Sequence, residues 1–160
     1  MNRTRMTVVQ CWDDGVTADQ RLVEILRRQN AKATFNLNPG LHQAQRTPGW
    51  IHRGTEVKRL GWDEMKELYN GFMIGNHSLT HPALEKIPAD EARRNIVEGR
   101  DRLEQFFGRP VPGFAYPGGS YNQAVMELVR EAGHAYARTV RNVAQPFPPD
   151  DAMAFHPCCH

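Results

Sequence analysis

Cysteine is scarce in this chain: three residues in 160, two of them adjacent at Cys158 and Cys159. Neighbouring cysteines bridge each other only under strain, so no disulfide framework is expected. Cys11, at the end of an apolar run, reads as a small buried hydrophobe. A terminal Cys-Cys-His with no second cluster is a weak zinc signal. Long apolar runs are missing as well; none approaches the roughly 20 residues of a bilayer-spanning helix. Met1 to Met6 carries positive charge but no apolar stretch of signal-peptide length, so the expectation is a cytoplasmic protein without a membrane partner. Charge of one sign is also lacking. Twenty Lys+Arg against 18 Asp+Glu leave a formal +2, too little to argue for a nucleic-acid partner. Arg27-Arg28 and Arg93-Arg94 read as solvated helix faces. Internal repeats, linkers and low-complexity segments are absent, which leaves a single domain over 1–160 as the simplest organisation.

What is there is an alternation of short apolar strands and amphipathic helices. The strands are read at Thr7–Trp12, Ala33–Asn38, Phe72–Asn76, Val111–Tyr116 and His134–Val140, with a sixth starting at Met153–Phe155. The helices are read at about Ala18–Gln29 with Thr17 as cap, Trp62–Tyr69, Pro88–Phe107 stopped by Gly108, and Asn122–Ala132 with Asn122 as cap. Leu41–Gly61 shows no period and is long for a loop, so it is expected to be a lid or to hide a short helix. The tail from Pro146 to Asp151 reads as a loop. Strand–helix alternation implies an α/β fold with parallel strands and right-handed crossovers, in which chemistry collects at the carboxyl ends of the strands.

Two motifs fall at those ends: Asp13-Asp14-Gly15 and His77-Ser78-Leu79-Thr80-His81. Ser78, Thr80 and Pro82 suit an irregular turn better than a helix, and a turn can still bring both rings to one point. On an extended backbone the side chains of Asp13 and Asp14 would point opposite ways, so that one binds a metal and the other reaches its water. One Asp and two His make a three-ligand set with open positions that suits a divalent ion. The same set could hold Fe(II) for oxygen chemistry, but the spare carboxylate favours hydrolysis, where a base is needed. Each motif alone has a bland reading, a common Asp-Asp-Gly turn and two surface histidines; their conjunction carries the argument.

Taken together, Cys11-Trp12-Asp13-Asp14-Gly15 resembles the Thr-Phe-Asp-Asp-Gly first motif of the polysaccharide deacetylase (NodB-homology) family, carbohydrate esterase family 4. Gly75-Asn76-His77-Ser78-Leu79-Thr80-His81-Pro82 resembles its second motif, and Phe114-Ala115-Tyr116-Pro117-Gly118-Gly119 sits where its third, Arg-x-Pro-Tyr, belongs. The resemblance covers about Thr7 to Thr139. It implies a distorted, incomplete (β/α) barrel, short at its C-terminus. It also implies Asp13 as general base and Asp14, His77 and His81 as ligands of a divalent metal, zinc first, then cobalt, nickel or manganese. Tyr116, Pro117 and Gly118 would line the substrate, with the Gly118 N–H at the oxyanion. The implied reaction is hydrolysis of N-acetyl, or O-acetyl, groups on a carbohydrate.

There are departures from the family pattern. Ala115 replaces the third-motif arginine that pairs with the base; Arg138 or Arg141 could substitute. The fourth motif, Asp-x-x-Asp-Trp, has no match. Of the histidines left for the catalytic acid, His156 is better placed than the terminal His160. Trp50 is the best candidate for a wall stacking on sugar, Trp62 reads as packing, and His42 and His52 read as surface residues. Two other readings stand beside the deacetylase: a hydrolase of small non-peptide amides on the same scaffold, and a sugar-binding module with a vestigial site. An unfinished barrel edge could be covered by a homo-oligomer.

Overall fold

The structure, a computed structural model, describes residues 8–143 and 148–158. Cys159, His160 and the Pro146–Phe147 part of the tail lie outside the described residues, as do the first seven. Among the described residues there are seven strands and four α-helices: β1 (Cys11–Asp13), α1 (Asp19–Arg28), β2 (Thr34–Leu37), β3 (Thr47–His52), β4 (Thr55–Arg59), α2 (Trp62–Leu68), β5 (Met73–Asn76), α3 (Ala89–Phe107), β6 (Gly113–Ala115), α4 (Gln123–Glu131) and β7 (Tyr136–Arg138). β1, β2, β5, β6 and β7 form one sheet in that order, and every pairing in it is parallel. Among the described residues no helix is long and apolar enough to cross a membrane.

Helix boundaries follow local chemistry. Asn122 caps α4 by accepting the Val125 N–H at 2.9 Å. Gly108 ends α3 at φ +68°, a left-handed position that glycine takes without strain. Thr17 does not cap α1: Ala18 holds that place without a side-chain bond, and the Thr17 N–H donates to Lys58 O at 2.9 Å. That bond belongs to the largest departure from the sequence reading. Leu41–Gly61 holds neither a helix nor a structureless lid but an antiparallel hairpin, β3–β4. Arg53 and Gly54, both at positive φ, make its two-residue turn. The hairpin is tied to the loop after β1 by a Val16–Arg59 bridge and by Leu60 N–H to Gly15 O at 2.9 Å.

The sheet is curled into part of a barrel, and side-chain reach shows it. Four strand intervals of about 4.8 Å would place β1 and β7 about 19 Å apart in a flat sheet. Yet the Arg138 guanidinium on β7 hydrogen-bonds the Asp13 carboxylate on β1, which only a curled sheet allows. Its inner face is thinned by glycine. Asp13, Asn36, Gly75, Gly113 and Tyr136 share one row across the five strands. A Cβ on Gly75 would lie 2.0 Å from Asn36 Oδ1, and one on Gly113 would lie 2.5 Å from the Tyr136 hydroxyl. On the outer face, Phe35, Leu37, Ile74 and Phe72 pack with Val23, Leu26, Met65 and Tyr69. Phe114, Tyr116 and Ala137 pack with Ile96, Val125 and Val129. The anticipated sixth strand reduces to a turn of 3-10 helix at Ala152–Ala154 and one parallel bridge, Arg138–Phe155.

Candidate metal centre and catalytic carboxylate

β1 ends at Asp13, and the next two residues turn through left-handed backbone, Asp14 at φ +75° and Gly15 at φ +63°. The two aspartates therefore do not diverge as an extended strand would have them. Asp14 Oδ1 lies 3.9 Å from His77 Nε2, and Asp13 Oδ2 lies 4.0 Å from the same nitrogen. The turn leaves no room for a side chain at Gly15, where a Cβ would meet His42 Cε1 at 2.9 Å. His42, read as a surface residue, is in fact buried. Its Nδ1 bonds Leu60 O at 2.9 Å and its ring stands edge-on to Trp62. Trp62 itself packs on Phe106, as its packing role required.

The histidine motif is an irregular turn, with Ser78 at φ +64° and His81 at φ +60°. Such strain in non-glycine residues persists only when neighbours fix it. Asn95 of α3 does so from one side: its carbonyl accepts Leu79 N–H at 2.8 Å, and its Oδ1 accepts both the Thr80 N–H and hydroxyl at 3.1 and 2.9 Å. Asn38 holds the other side by donating to His77 O, and Ser78 Oγ accepts the His81 N–H at 3.0 Å. His77 Nδ1 lies 2.7 Å from the Ala115 carbonyl, to which it can only donate. Nε2 is then left as a lone pair toward the aspartates. Burial pushes the His77 imidazole down, against the pull of the two carboxylates, so the ring is neutral, the form that binds metals.

Asp14, His77 and His81 offer three donor atoms within 4.8 Å of one another. His81 Nε2 is 3.9 Å from Asp14 Oδ1. Tetrahedral ligation with bonds of about 2.0–2.1 Å sets neighbouring donors about 3.3 Å apart, so small side-chain rotations close the set. The donor chemistry fits a divalent ion of the zinc class.

Asp13 stands beside this set and is held separately. Asn36 Nδ2 donates to its Oδ1 at 2.8 Å and the Arg138 guanidinium to its Oδ2. Burial works against ionisation of Asp13. The Arg138 guanidinium and the Asn36 amide pull the other way, and the carboxyl stays below the usual carboxylate range. Arg138 is in register with Ala115 on the adjacent strand. The cation missing from position 115 is thus supplied from the neighbouring position one strand over. Arg141 is not the substitute.

Of the other expected site residues, His156 follows the Phe155 bridge at the end of β7, beside Arg138, with Nδ1 2.6 Å from Thr139 Oγ1. Tyr116 is a correction: its side chain is 1% exposed, stacks on Tyr121 and donates its hydroxyl to Met153 O at 2.9 Å. Pro117 is buried too. Gly118 in that turn is exposed. Trp50 is exposed on β3, with the Arg59 guanidinium 5.2 Å from its ring centre. Asn36, Asn38 and Asn95 escaped the sequence reading; polar residues inside apolar strand and helix patterns were the only signal they left.

Comparison with known proteins bears on the family and the fold. The sequence model of the polysaccharide deacetylase family matches residues 1–137. An uncharacterised protein of Bacillus subtilis, YlxY, is 26% identical over 70% of this chain and 30% of its own length. A peptidoglycan-N-acetylglucosamine deacetylase of Bacillus cereus is 27% identical over 77% of this chain and 51% of its own. The chain thus spans about half or less of these curated relatives. Among solved structures, the Streptococcus pyogenes deacetylase PplD in complex with acetate superposes with a TM-score of 0.79 at 20% identity, covering 97% of this chain and 65% of that one. That likeness shows the fold.

Proposed function

As the chain belongs to the polysaccharide deacetylase family, we propose that it is a metal-dependent hydrolase that removes N-acetyl, or O-acetyl, groups from a carbohydrate. The observation that carries this reading is the division of labour among four side chains. Asp14, His77 and His81 converge as donors, while Asp13 is kept out of the set and ionised by Arg138 and Asn36. Asp14, His77 and His81 would hold a divalent ion, zinc foremost, which would lower the pKa of a water and polarise an acyl oxygen.

The chain's own residues do the rest. Asp13, an ionised carboxylate 4.0 Å from His77 Nε2, is placed to take the proton of the attacking water. Arg138 fixes the orientation of Asp13 and keeps it a carboxylate between turnovers. His77 is locked by the Ala115 carbonyl with Nε2 toward Asp13 and Asp14, a bond of the kind that sets ring orientation at metal sites. His156, on the same sheet edge, is assigned the proton of the leaving amine. The Gly118 N–H is assigned the developing oxyanion, and exposed Trp50 is assigned to stack on the sugar. The vestigial sugar-binding reading draws on the unmatched third-motif arginine, the unmatched fourth motif and the shortness of the chain; Arg138 in contact with Asp13 answers the first of these.

The test is acetate release from N-acetylated chitooligosaccharides and from peptidoglycan fragments. Turnover that stops with chelator, returns with zinc and falls about 10²-fold or more in Asp13→Asn supports the reading. Full metal loading with no acetate from any acetylated sugar would sink it.

A further inference from the structure

We propose that His42 is the positioning residue of Asp14. It acts through Gly15 and Leu60, holding the left-handed turn that aims the Asp14 carboxylate at His77 and His81. This rests on the reading of Asp14, His77 and His81 as a metal centre.

The two aspartates are held in different ways. Asp13 is fixed through its side chain, by the Asn36 amide and the Arg138 guanidinium. Asp14 has no such hold. Among the described residues its carboxylate takes no hydrogen bond, and the Nε2 atoms of His77 and His81 stand 3.9 Å from its Oδ1. Its direction is therefore set by its backbone, which runs at φ +75° and continues into Gly15 at φ +63°. A residue with a Cβ stays in that region only where its neighbours fix it. The start of the turn is anchored to β2, since the Asp14 N–H donates to Asn36 O at 3.0 Å. Its far end is anchored by Leu60 and His42.

Leu60 is engaged at both of its backbone groups. Its N–H donates to Gly15 O at 2.9 Å, and its carbonyl lies 2.9 Å from His42 Nδ1. A carbonyl only accepts, so Nδ1 carries the ring proton and Nε2 a lone pair. Burial pushes the His42 imidazole pKa down, so the ring is neutral and keeps this tautomer. The ring is itself held, because Trp62 Nε1 donates to His42 O at 3.1 Å and the two rings meet edge-on. The opposite edge of the imidazole bears on the turn. Cε1 and Nε2 lie 2.9 and 3.1 Å from the place a Cβ of Gly15 would take, and Leu37 Cδ2 closes the same space at 3.0 Å. Nε2 makes no hydrogen bond there, so that edge acts by contact alone. His42 thus grips the turn twice, by a hydrogen bond relayed through Leu60 and by direct contact with Gly15. Glycine has the widest backbone freedom of any residue. Released from either grip, Gly15 relaxes and the Asp14 carboxylate turns with it.

The experiment measures zinc affinity by competition with a chelator, and the visible spectrum of the cobalt-loaded protein, in wild type, His42→Asn and His42→Phe. Asparagine keeps a donor for Leu60 O and removes the ring edge; phenylalanine keeps a ring and removes the donor. Each variant is expected to bind zinc about 10-fold more weakly, the low end for lost outer-shell partners. The cobalt bands are expected to shift, because a turned Asp14 changes the ligand field. A loss confined to His42→Asn assigns the hold to the ring edge, and one confined to His42→Phe assigns it to the Leu60 bond; either supports the proposal. A side chain that only packs would lower the urea midpoint and leave zinc affinity and the cobalt spectrum of the folded protein as in wild type. That result in both variants overturns the proposal alone. Wild type that takes up no zinc overturns the metal-centre reading and the proposal with it.

Discussion

Replacing Arg138 by Gln removes the cation that holds Asp13. The guanidinium donates directly to the Asp13 carboxylate from the opposite edge of the curled sheet. An opposite charge at such range lowers a carboxyl pKa by about 1–3 units, and each unit is about 1.4 kcal/mol. Burial, which already works against ionisation of Asp13, is then opposed by the Asn36 amide. The acid limb of kcat/KM for acetate release is therefore expected to move up by about 1–3 units, with a loss near pH 5 much larger than at pH 8. Stability falls too, because an unpaired carboxylate is left in a largely enclosed site; about 3 kcal/mol, the low end for breaking a buried pair, is expected from urea unfolding. The register Ala115–Arg138 provides a rescue. The double variant Arg138→Ala with Ala115→Arg returns the cation to the position the family's third motif gives it, and should recover the limb better than Arg138→Ala alone. An acid limb unmoved in Arg138→Gln, at normal metal content, would refute the reasoning.

Two buried groups make opposing contributions to stability across the same pH range. Burial, with Arg100 nearby, pushes His134 down to about 4. Its folded value lies below the unfolded one, so the unfolded state binds more protons between about pH 4 and 6.5, and stability rises with pH there, by about 3 kcal/mol in all. Burial pushes Asp19, whose Oδ2 accepts the Tyr69 hydroxyl at 2.6 Å, up to about 6. Its folded value lies above the unfolded one, so stability is lost as pH rises from about 4 to 6, by a similar amount. Urea unfolding of Asp19→Asn should therefore climb more steeply with pH than wild type, and that of His134→Gln should flatten or fall; parallel curves would show that these groups do not titrate as their burial requires. Asn95→Ala removes the acceptor that fixes Thr80 and is expected to weaken metal binding about 10–100-fold, as loss of outer-shell partners does, measured by competition with a chelator.

The elements that bury one face were legible in the sequence, because burial is what periodicity records. The parallel strands, α3 between Pro88 and Gly108, and α4 behind Asn122 all appear close to where the pattern put them. The hairpin at 47–59 did not show because its residues are mostly exposed and carry no alternation; only Arg53-Gly54 hinted at a turn. The Asp-His-His set was legible from residue type and spacing. The convergence of the two aspartates was not, since it depends on left-handed backbone at Asp14. Choosing Arg138 over Arg141 required the strand register, and the contact with Asp13 required the curl, neither of which a one-dimensional pattern contains. Tyr116 and His42 were misplaced for one reason: a polar-tipped ring beside a site motif can be satisfied by a nearby backbone carbonyl, Met153 O for one and Leu60 O for the other, and so be buried.

The central claim is that Asp14, His77 and His81 hold a divalent ion while Asp13 does not. Elemental analysis of purified wild type, His81→Ala and Asp13→Asn, each dialysed after zinc is supplied, tests it directly. About one equivalent in wild type and in Asp13→Asn, with loss in His81→Ala, is the expected result for a three-ligand site. Equal metal in wild type and His81→Ala, or none in wild type, would contradict it.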